Sequence, residues 1–189
     1  MLPERIRTFV AVELPESLRE VIVKRCEPAR AALGPHIHWT KPENIHLTMK
    51  FLGDIHRDDI VTALDIIKEA VAGQSSVPAE VRGPEPFPPG SRARMVVAPV
   101  DEVEALIRLH TRLNRGFAEL GVKREKRGFL PHITLARARD IRGGWHAAFD
   151  WQTVSGKIGV LPVTAVTFFM SELGPGGPTY TPLGKMQIG

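Results

Sequence analysis

Two His-x-Thr tripeptides, each followed by an apolar residue, are the part of this sequence best suited to chemistry. They are His46-Leu47-Thr48-Met49 and His132-Ile133-Thr134-Leu135. In a strand, residues two apart point to the same face, so each motif presents an imidazole beside a hydroxyl. Near neutral pH, a neutral imidazole accepts a proton and a protonated one donates it. The pair therefore predicts acid–base cleavage of a phosphoester, with Thr48 and Thr134 holding phosphate oxygens.

Each motif also has plainer interpretations. A single His-x-Thr in a strand is commonly structural, with the ring bonded to a carbonyl and the threonine favoured by its strand propensity. A third copy, His38-Trp39-Thr40, lacks the apolar fourth residue because Lys41 follows it. His36 and His38 would share one strand face as metal ligands, but no Cys or carboxylate at ligand spacing completes the set. We therefore expect no metal and no cofactor. A metal site at His36 and His38 is kept as the less favoured alternative.

The two motifs recur at a fixed distance along the chain. His132 follows His46 by 86 positions, and the strand-like segment 94–98 follows the strand-like segment 8–12 by the same 86 positions. A strand-helix-strand unit used twice predicts two related lobes that share a cleft. Both motifs would then face the same bound group.

The remaining pattern predicts the elements that position these motifs. Helices are predicted over 15–32, 58–72 and 101–121, the last beginning at a capping box of Asp101 and Glu104. Strands are predicted over 8–12, 45–52, 77–81, 94–98, 131–135, 154–160, 163–170 and 180–186. In 45–52 the alternation predicts one polar face that includes Lys50, with Gly53 ending the strand. The Pro-rich segment 83–90 is predicted to be a loop between two halves.

Composition limits the class of protein. The chain has 189 residues, of which 43% are hydrophobic and 24% charged, enough for one core or two small lobes. Its net charge of +4 permits a polyanionic partner without requiring one. Cys26 is the single cysteine, and the sequence has neither an apolar run of about 18 residues nor a signal-peptide pattern. We therefore expect a cytoplasmic protein with no disulfide and no membrane contact.

The motifs and their surroundings resemble the 2H phosphoesterase superfamily, and within it the bacterial and archaeal RNA 2',3'-cyclic phosphodiesterases, also called 2'-5' RNA ligases. The resemblance spans nearly the whole chain and includes segments 9–15, 42–53, 131–137 and 171–180. It implies an α+β fold with a single domain over residues 1–189. That domain would consist of two intertwined, pseudo-symmetric lobes of antiparallel sheet, flanked by helices around a central cleft.

The resemblance also implies an activity, namely opening of a terminal 2',3'-cyclic phosphate on RNA to a 2'-phosphate without metal or ATP. By position, His46 would donate a proton to the leaving 3' oxygen, and His132 would accept a proton from water. Because the two motifs are nearly identical, the sequence alone leaves these two roles interchangeable. Thr48 and Thr134 would hold the phosphate. Four further side chains are expected to contact substrate: Trp39, Phe51, Arg127 and Arg137.

Two other functions remain open from the sequence. One is the reverse reaction, in which a 2',3'-cyclic end joins a 5'-hydroxyl in a 2'-5' linkage. The other is a non-catalytic RNA-binding module that uses the basic stretch 123–127 and nearby aromatic residues. In each case we expect RNA as the partner and a monomeric protein.

Overall fold

The computed structural model describes residues 2–138 and 144–189, apart from the side chain of His36. In chain order the elements are β1 (Arg5–Glu13), α1 (Glu16–Leu33), β2 (Ile37–Trp39), β3 (His46–His56), α2 (Ile60–Val71), β4 (Val77–Arg82), β5 (Glu85–Phe87), β6 (Met95–Pro99), α3 (Glu104–Gly116), β7 (His132–Ala138), β8 (Lys157–Val163), β9 (Ala165–Gly174) and β10 (Gly177–Gln187). Short 3-10 turns join several of them. Every helix and strand that carries a candidate functional residue is thus described.

One antiparallel sheet carries both His-x-Thr motifs. Its strand order is β10-β9-β1-β3-β7-β6-β5, with β2 beside β7, and β4 pairs with β8 in a separate two-stranded sheet. The two halves of the main sheet meet where Leu47 of β3 pairs with Ile133 of β7. Both side chains are fully buried. The predicted α+β class, with antiparallel sheets and helices, is confirmed.

The strand pairing repeats with the 86-residue offset found in the sequence. Glu13 pairs with His46 in the first half of the sheet, and Pro99 pairs with His132 in the second. Both pairings also contain the same bulge, in which one extra residue follows the motif threonine. The single domain of two intertwined lobes over residues 1–189 stays a prediction, and this duplicated strand pair supports it.

The helices cover the face of the sheet opposite the motif side chains. On α1 the buried residues recur every three or four positions, which gives the helix one apolar stripe. The same spacing buries one side of α2 and α3 against the strands. Leu47, Met49, Ile133 and Leu135 of the two motifs belong to this core. None of the described helices combines the length and the apolar character needed to cross a bilayer.

Two predictions about β3 are wrong. The strand does not end at Gly53 but continues to His56. Gly53 pairs with Thr8 beside a second bulge, where its φ of 74° suits a residue without a Cβ. Lys50 does not lie on the polar face either. Because the bulge after the motif threonine reverses the alternation, Lys50 is buried on the helix side and Phe51 takes the open face.

Three other predicted boundaries need correction. Helix α3 begins at Glu104 without the capping box, since the carboxylate of Asp101 instead accepts a hydrogen bond from Arg82 at 2.8 Å. The predicted loop 83–90 contains the short edge strand β5, and an edge position tolerates its proline. Strand β8 begins at Lys157, whereas Val154 ends a 3-10 turn.

Cys26 lies on the buried stripe of α1, and this burial raises the pKa of its thiol to about 12. The reactive thiolate is therefore scarce near neutral pH. We expect the native protein to react with iodoacetamide at pH 8 far more slowly than the urea-unfolded chain does, as followed by mass spectrometry. Equal labelling rates in the two states would contradict the burial of this thiol.

Candidate active site

The pairing of β3 with β7 brings the two His-x-Thr motifs side by side on the same face of the sheet. Because the strands are antiparallel and Leu47 pairs with Ile133, the register places His46 opposite Thr134 and Thr48 opposite His132. All four polar side chains leave the sheet on the face opposite the core and are half-buried. Diagonal neighbours in such a pair are about 7–8 Å apart. That spacing lets two imidazoles approach a single phosphate from opposite sides.

A backbone carbonyl orients each imidazole in the same way. The Nδ1 of His46 lies 2.8 Å from the carbonyl oxygen of Asn44, and the Nδ1 of His132 lies 2.8 Å from that of Leu130. A carbonyl only accepts, so Nδ1 carries the proton and Nε2 is left to exchange one. In its neutral form, the Nε2 of His46 accepts a hydrogen bond from the Thr48 hydroxyl at 3.0 Å. Both rings are thus prepared for proton transfer at Nε2.

An aromatic ring stacks on each imidazole. Phe9 lies 4.9 Å from His46 between ring centroids, and Phe87 lies 5.5 Å from His132. Tyr180 also meets His46 edge-on at 5.4 Å. These contacts restrict rotation of the rings. They also make the surroundings of His46 apolar, because Phe9 and Tyr180 pack together with Phe169.

Burial lowers the pKa of His46 below its ordinary value of 6.5, although the hydrogen bond to Asn44 partly opposes the shift. We therefore expect the ring to be neutral at pH 7 in the free protein. In an NMR titration of the histidine C2 protons, His46 should protonate with a midpoint below 6.5. Assignment by comparison with His46→Ala identifies the resonance. A midpoint above that value would show that the carbonyl bond outweighs desolvation.

A cavity of about 940 Å³, here called the central cavity, opens beside the motifs. Its walls include His46, Thr48 and Thr134. Three cationic side chains also line it, namely Arg7, Lys41 and Arg137. No carboxylate is found among the described residues of this wall. Such a wall attracts anions and suits a polynucleotide end much better than a neutral ligand.

His132 lies outside the wall of the central cavity and lines a neighbouring cavity of about 370 Å³, here called the His132 side cavity. A comparable cavity of about 350 Å³ adjoins His46, here called the His46 side cavity. His46 thus lines both the central cavity and one side cavity, whereas His132 lines only the other side cavity. The site has a centre and two flanks.

The structure brings most of the predicted substrate contacts together. Trp39, Phe51 and Arg137 line the central cavity, and the Phe51 ring is 57% exposed. Arg137 occupies in β7 the position that Phe51 occupies in β3, since both follow the bulge at the 86-residue offset. Arg127 lies elsewhere, exposed in the coil that precedes β7 and outside the central cavity. A substrate contact by Arg127 stays a prediction, which this placement does not support.

The metal alternative gains no support from the described residues. Among them, no group of three or more His, Cys, Asp or Glu side chains is placed to hold an ion. His38 lines the central cavity. The other proposed ligand, His36, has a side chain outside the described part of the structure.

Sequence reasoning missed several residues of the site. Asn44 and Leu130 act through backbone carbonyls, which carry no side-chain signal. Asn44 could have been suspected, because it is a buried polar residue next to a motif, and its amide donates to the carbonyl of Pro178 at 2.8 Å. Phe87 was hidden in a segment interpreted as a loop. Tyr180 meets His46 from the far end of the chain, so proximity in sequence could not reveal it.

Known proteins resemble this chain over nearly its whole length. An RNA 2',3'-cyclic phosphodiesterase of Methanothermobacter thermautotrophicus is 28% identical over 97% of this chain and 100% of its own length, and one of Escherichia coli is 28% identical over 99% of both. Among solved structures, TT0787 of Thermus thermophilus superposes with a TM-score of 0.82 at 28% identity, covering 97% of this chain and 98% of its own.

Escherichia coli LigT complexed with NADP+ superposes with a TM-score of 0.78 at 25% identity, covering 98% of this chain and 99% of its own. The family model of the 2'-5' RNA ligase superfamily matches residues 14–144, a span that includes both His-x-Thr motifs. Together with the duplicated motif geometry, this match shows that the chain belongs to the 2'-5' RNA ligase superfamily.

Proposed function

We propose that this protein hydrolyses the 2',3'-cyclic phosphate at the end of an RNA strand and leaves a 2'-phosphate. The observation that supports the proposal is the pairing of β3 with β7 at Leu47 and Ile133, beside two histidines whose Nδ1 atoms are both bonded to carbonyls and whose Nε2 atoms can exchange a proton. The cationic central cavity supports an anionic substrate. Two RNA 2',3'-cyclic phosphodiesterases that match this chain over nearly their whole length support this choice of substrate.

In this mechanism water attacks phosphorus and the bond to the 3' oxygen breaks. His132 accepts the proton of the attacking water through Nε2, while His46 donates a proton to the departing 3' oxygen. The two groups act on opposite sides of phosphorus, as an in-line displacement requires. After product release, His132 returns its proton to solvent and His46 regains one, so the cycle needs no added cofactor.

To act as the acid, the His46 ring must be protonated, so its lowered pKa has to rise when substrate binds. A bound phosphodiester carries a negative charge, and a nearby opposite charge favours the protonated imidazole. Substrate binding therefore raises the pKa of His46 when it is needed as a donor. In the protonated state, Nε2 no longer accepts the Thr48 hydroxyl, which is then available to donate to a phosphate oxygen.

The remaining side chains of the site bind the RNA substrate in this mechanism. Thr48 and Thr134 donate to the non-bridging phosphate oxygens, and Arg137 balances their charge as it grows in the transition state. Phe51, whose ring is largely exposed, offers a surface on which a base can stack. Trp39 lines the same cavity and receives the Arg30 guanidinium over its ring at 5.3 Å. Since every group comes from one chain, we propose that a monomer is sufficient.

Product analysis tests the proposed function. An oligonucleotide ending in a 2',3'-cyclic phosphate should yield a 2'-phosphate end, and the rate should be the same in excess EDTA, since two imidazoles supply both proton transfers. A 3'-phosphate product, or loss of activity in EDTA that Mg²⁺ or Zn²⁺ restores, would contradict this mechanism. Salt-sensitive RNA binding without turnover would favour the non-catalytic binding module instead.

A further inference from the structure

A cationic segment between α3 and β7 takes no part in the proposed mechanism. Here called the basic coil, it consists of five exposed residues: Lys123, Arg124, Glu125, Lys126 and Arg127. Among the described residues, no carboxylate pairs with its four cationic side chains. Its one acidic side chain, that of Glu125, is bonded to the Nζ of Lys50 at 2.9 Å. The basic coil therefore presents a concentrated positive charge to solvent.

The internal repeat relates the basic coil to a wall of the central cavity. At the 86-residue offset, positions 123–127 correspond to positions 37–41, which contain β2 and the two residues after it. Four of these five positions line the central cavity: His38, Trp39, Thr40 and Lys41. The basic coil is thus the second copy of a segment whose first copy already faces the proposed substrate.

Both copies of this segment are attached to a motif strand at equivalent positions. Trp39 pairs with Ala136 of β7. Their counterparts, each 86 positions away, are Glu125 and Lys50 of β3, whose side chains are joined by the 2.9 Å bond. The Nζ of Lys50 also donates to the carbonyl of Lys123 at 3.1 Å. The basic coil is therefore anchored to β3 where β2 pairs with β7, although it remains coil.

The anchor lies next to an exposed aromatic ring of the central cavity. Phe51 directly follows Lys50, lines the central cavity and is 57% exposed. Under the repeat, Phe51 and Arg124 correspond to Arg137 and His38, which pair across β7 and β2. Cationic side chains beside an exposed aromatic ring are typical of surfaces that bind single-stranded RNA, through its phosphates and through base stacking.

We propose that the basic coil binds the phosphate backbone of the RNA substrate upstream of its cyclic end. This inference rests on the proposed function, because it concerns the body of the same strand. The terminal nucleotide occupies the central cavity, a base stacks on Phe51, and the phosphates beyond it contact Arg124 and Lys126. Charge alone would also attract an acidic protein surface, but the exposed ring and the adjoining cationic cavity favour RNA.

The basic coil then distinguishes an RNA strand from a cyclic mononucleotide. Both carry the cyclic phosphate that the motif histidines act on, but only the strand carries further phosphates. Each phosphate contact with single-stranded RNA strengthens binding about fivefold at about 0.1 M salt, because it releases condensed counterions. The coil therefore raises kcat/KM for a strand and leaves that for the mononucleotide unaffected.

The test compares a variant of the basic coil with a matched variant on the opposite face. Arg124→Gln combined with Lys126→Gln removes two exposed cations from the coil. Lys24→Gln combined with Lys68→Gln removes two exposed cations from α1 and α2, which cover the other side of the sheet. Both variants lose two charges from the net charge of +4, so an effect of overall charge would be the same in each.

The first measurement is kcat/KM for a long oligonucleotide with a 2',3'-cyclic end and for a 2',3'-cyclic mononucleotide. The ratio of the two values cancels any general loss of catalysis. It should fall about 25-fold in the coil variant at about 0.1 M salt, since two phosphate contacts are lost, and stay unchanged in the helix variant.

The second measurement is binding of an oligonucleotide that ends in a 2'-phosphate, followed by fluorescence anisotropy at several salt concentrations. On logarithmic axes, the slope of affinity against salt should become shallower by about 1.4 in the coil variant only. An equal ratio in all three proteins, an equal fall in both variants, or an unchanged salt slope would overturn the inference. If no protein opens a cyclic phosphate, yet affinity falls only in the coil variant, the proposed function has failed and the RNA-binding surface stands.

Discussion

Replacing either His46 or His132 by alanine is expected to lower kcat for opening a 2',3'-cyclic phosphate by about 10²–10⁴-fold. This is the usual contribution of a positioned acid or base. Each ring presents a single nitrogen to the phosphate, because its Nδ1 is held by a carbonyl at 2.8 Å. A third imidazole in the wall of the central cavity, that of His38, belongs to β2 and lies outside the two motifs. Initial rates with a labelled oligonucleotide would measure the loss.

The same two variants can separate the acid from the base. In a substrate whose bridging 3' oxygen is replaced by sulfur, the leaving thiolate needs little protonation. We therefore expect the sulfur substrate to restore most of the activity of His46→Ala and little of that of His132→Ala. The reverse pattern would exchange the two roles, which the near-identity of the motifs leaves open. It would also move the entering group to the His46 side.

His56→Ala is the matched control for these experiments. His56 ends the same strand β3 but lies outside all three cavities, and its half-exposed ring lies near the carboxylates of Glu4 and Asp58 while its Nδ1 accepts a hydrogen bond from the Asp58 N–H at 3.3 Å. We expect this variant to keep the wild-type rate. Near-wild-type turnover in either motif variant, with the fold intact by circular dichroism, would refute two-histidine catalysis.

Replacing Lys50 by methionine is expected to reduce the free energy of unfolding by about 2–4 kcal/mol. The Nζ of this fully buried lysine donates to Asn114 at 2.9 Å, to the carbonyl of Lys123 at 3.1 Å and to Glu125 at 2.9 Å. Methionine fills the space, but the carbonyl of Lys123 and the carboxylate of Glu125 lose the Lys50 donor, and Asn114 keeps only the N–H of Glu125 at 2.9 Å. Urea unfolding followed by fluorescence would measure the difference.

Lys185→Met is the control for the effect of burial. Lys185 pairs with Glu13 at the same 2.9 Å, but its side chain is 52% exposed, and such surface pairs contribute at most about 1 kcal/mol. We expect Lys50→Met to be clearly the more destabilising of the two. Equal effects would mean that Lys50 does not hold the coil between α3 and β7 in place.

The Lys50 contacts have a consequence for catalysis as well. They fasten the coil between α3 and β7 to the strand that carries His46 and Thr48. The same coil includes Leu130, two residues before β7 begins, and the carbonyl of Leu130 orients His132. Lys50 is therefore a positioning residue, and loosening it should reduce kcat more than it raises KM.

The strands and helices that were predicted correctly could be recognised from the pattern of neighbouring residues. Stretches such as 8–12 and 131–135 alternate because one face is wet and the other packs against helices, and this period of two is readable from neighbouring residues alone. The 86-residue repeat was visible because both copies keep the motif. Its strongest support, the identical pairing register, required the partner strands.

The errors arose where a distant partner decides the local geometry. The bulges after Thr48 and Thr134 reverse the alternation, because an extra residue in one strand can be recognised only against the strand beside it. Lys50 turns inward to acceptors that lie 64 to 75 residues away. The capping box at Asp101 was lost for the same reason, since Arg82 took its carboxylate.

By itself, the sequence singled out the side chains to which we assign the chemistry, because an imidazole and a hydroxyl two residues apart on a strand share a face whatever else surrounds them. It also determined that there are two such sets. Tertiary structure alone decided that the two sets lie side by side at Leu47 and Ile133, that each ring is held by a carbonyl, and that burial lowers the pKa of His46. The physical reason is that pairing between strands, backbone hydrogen bonds and burial depend on residues far apart in the chain, which no local pattern records.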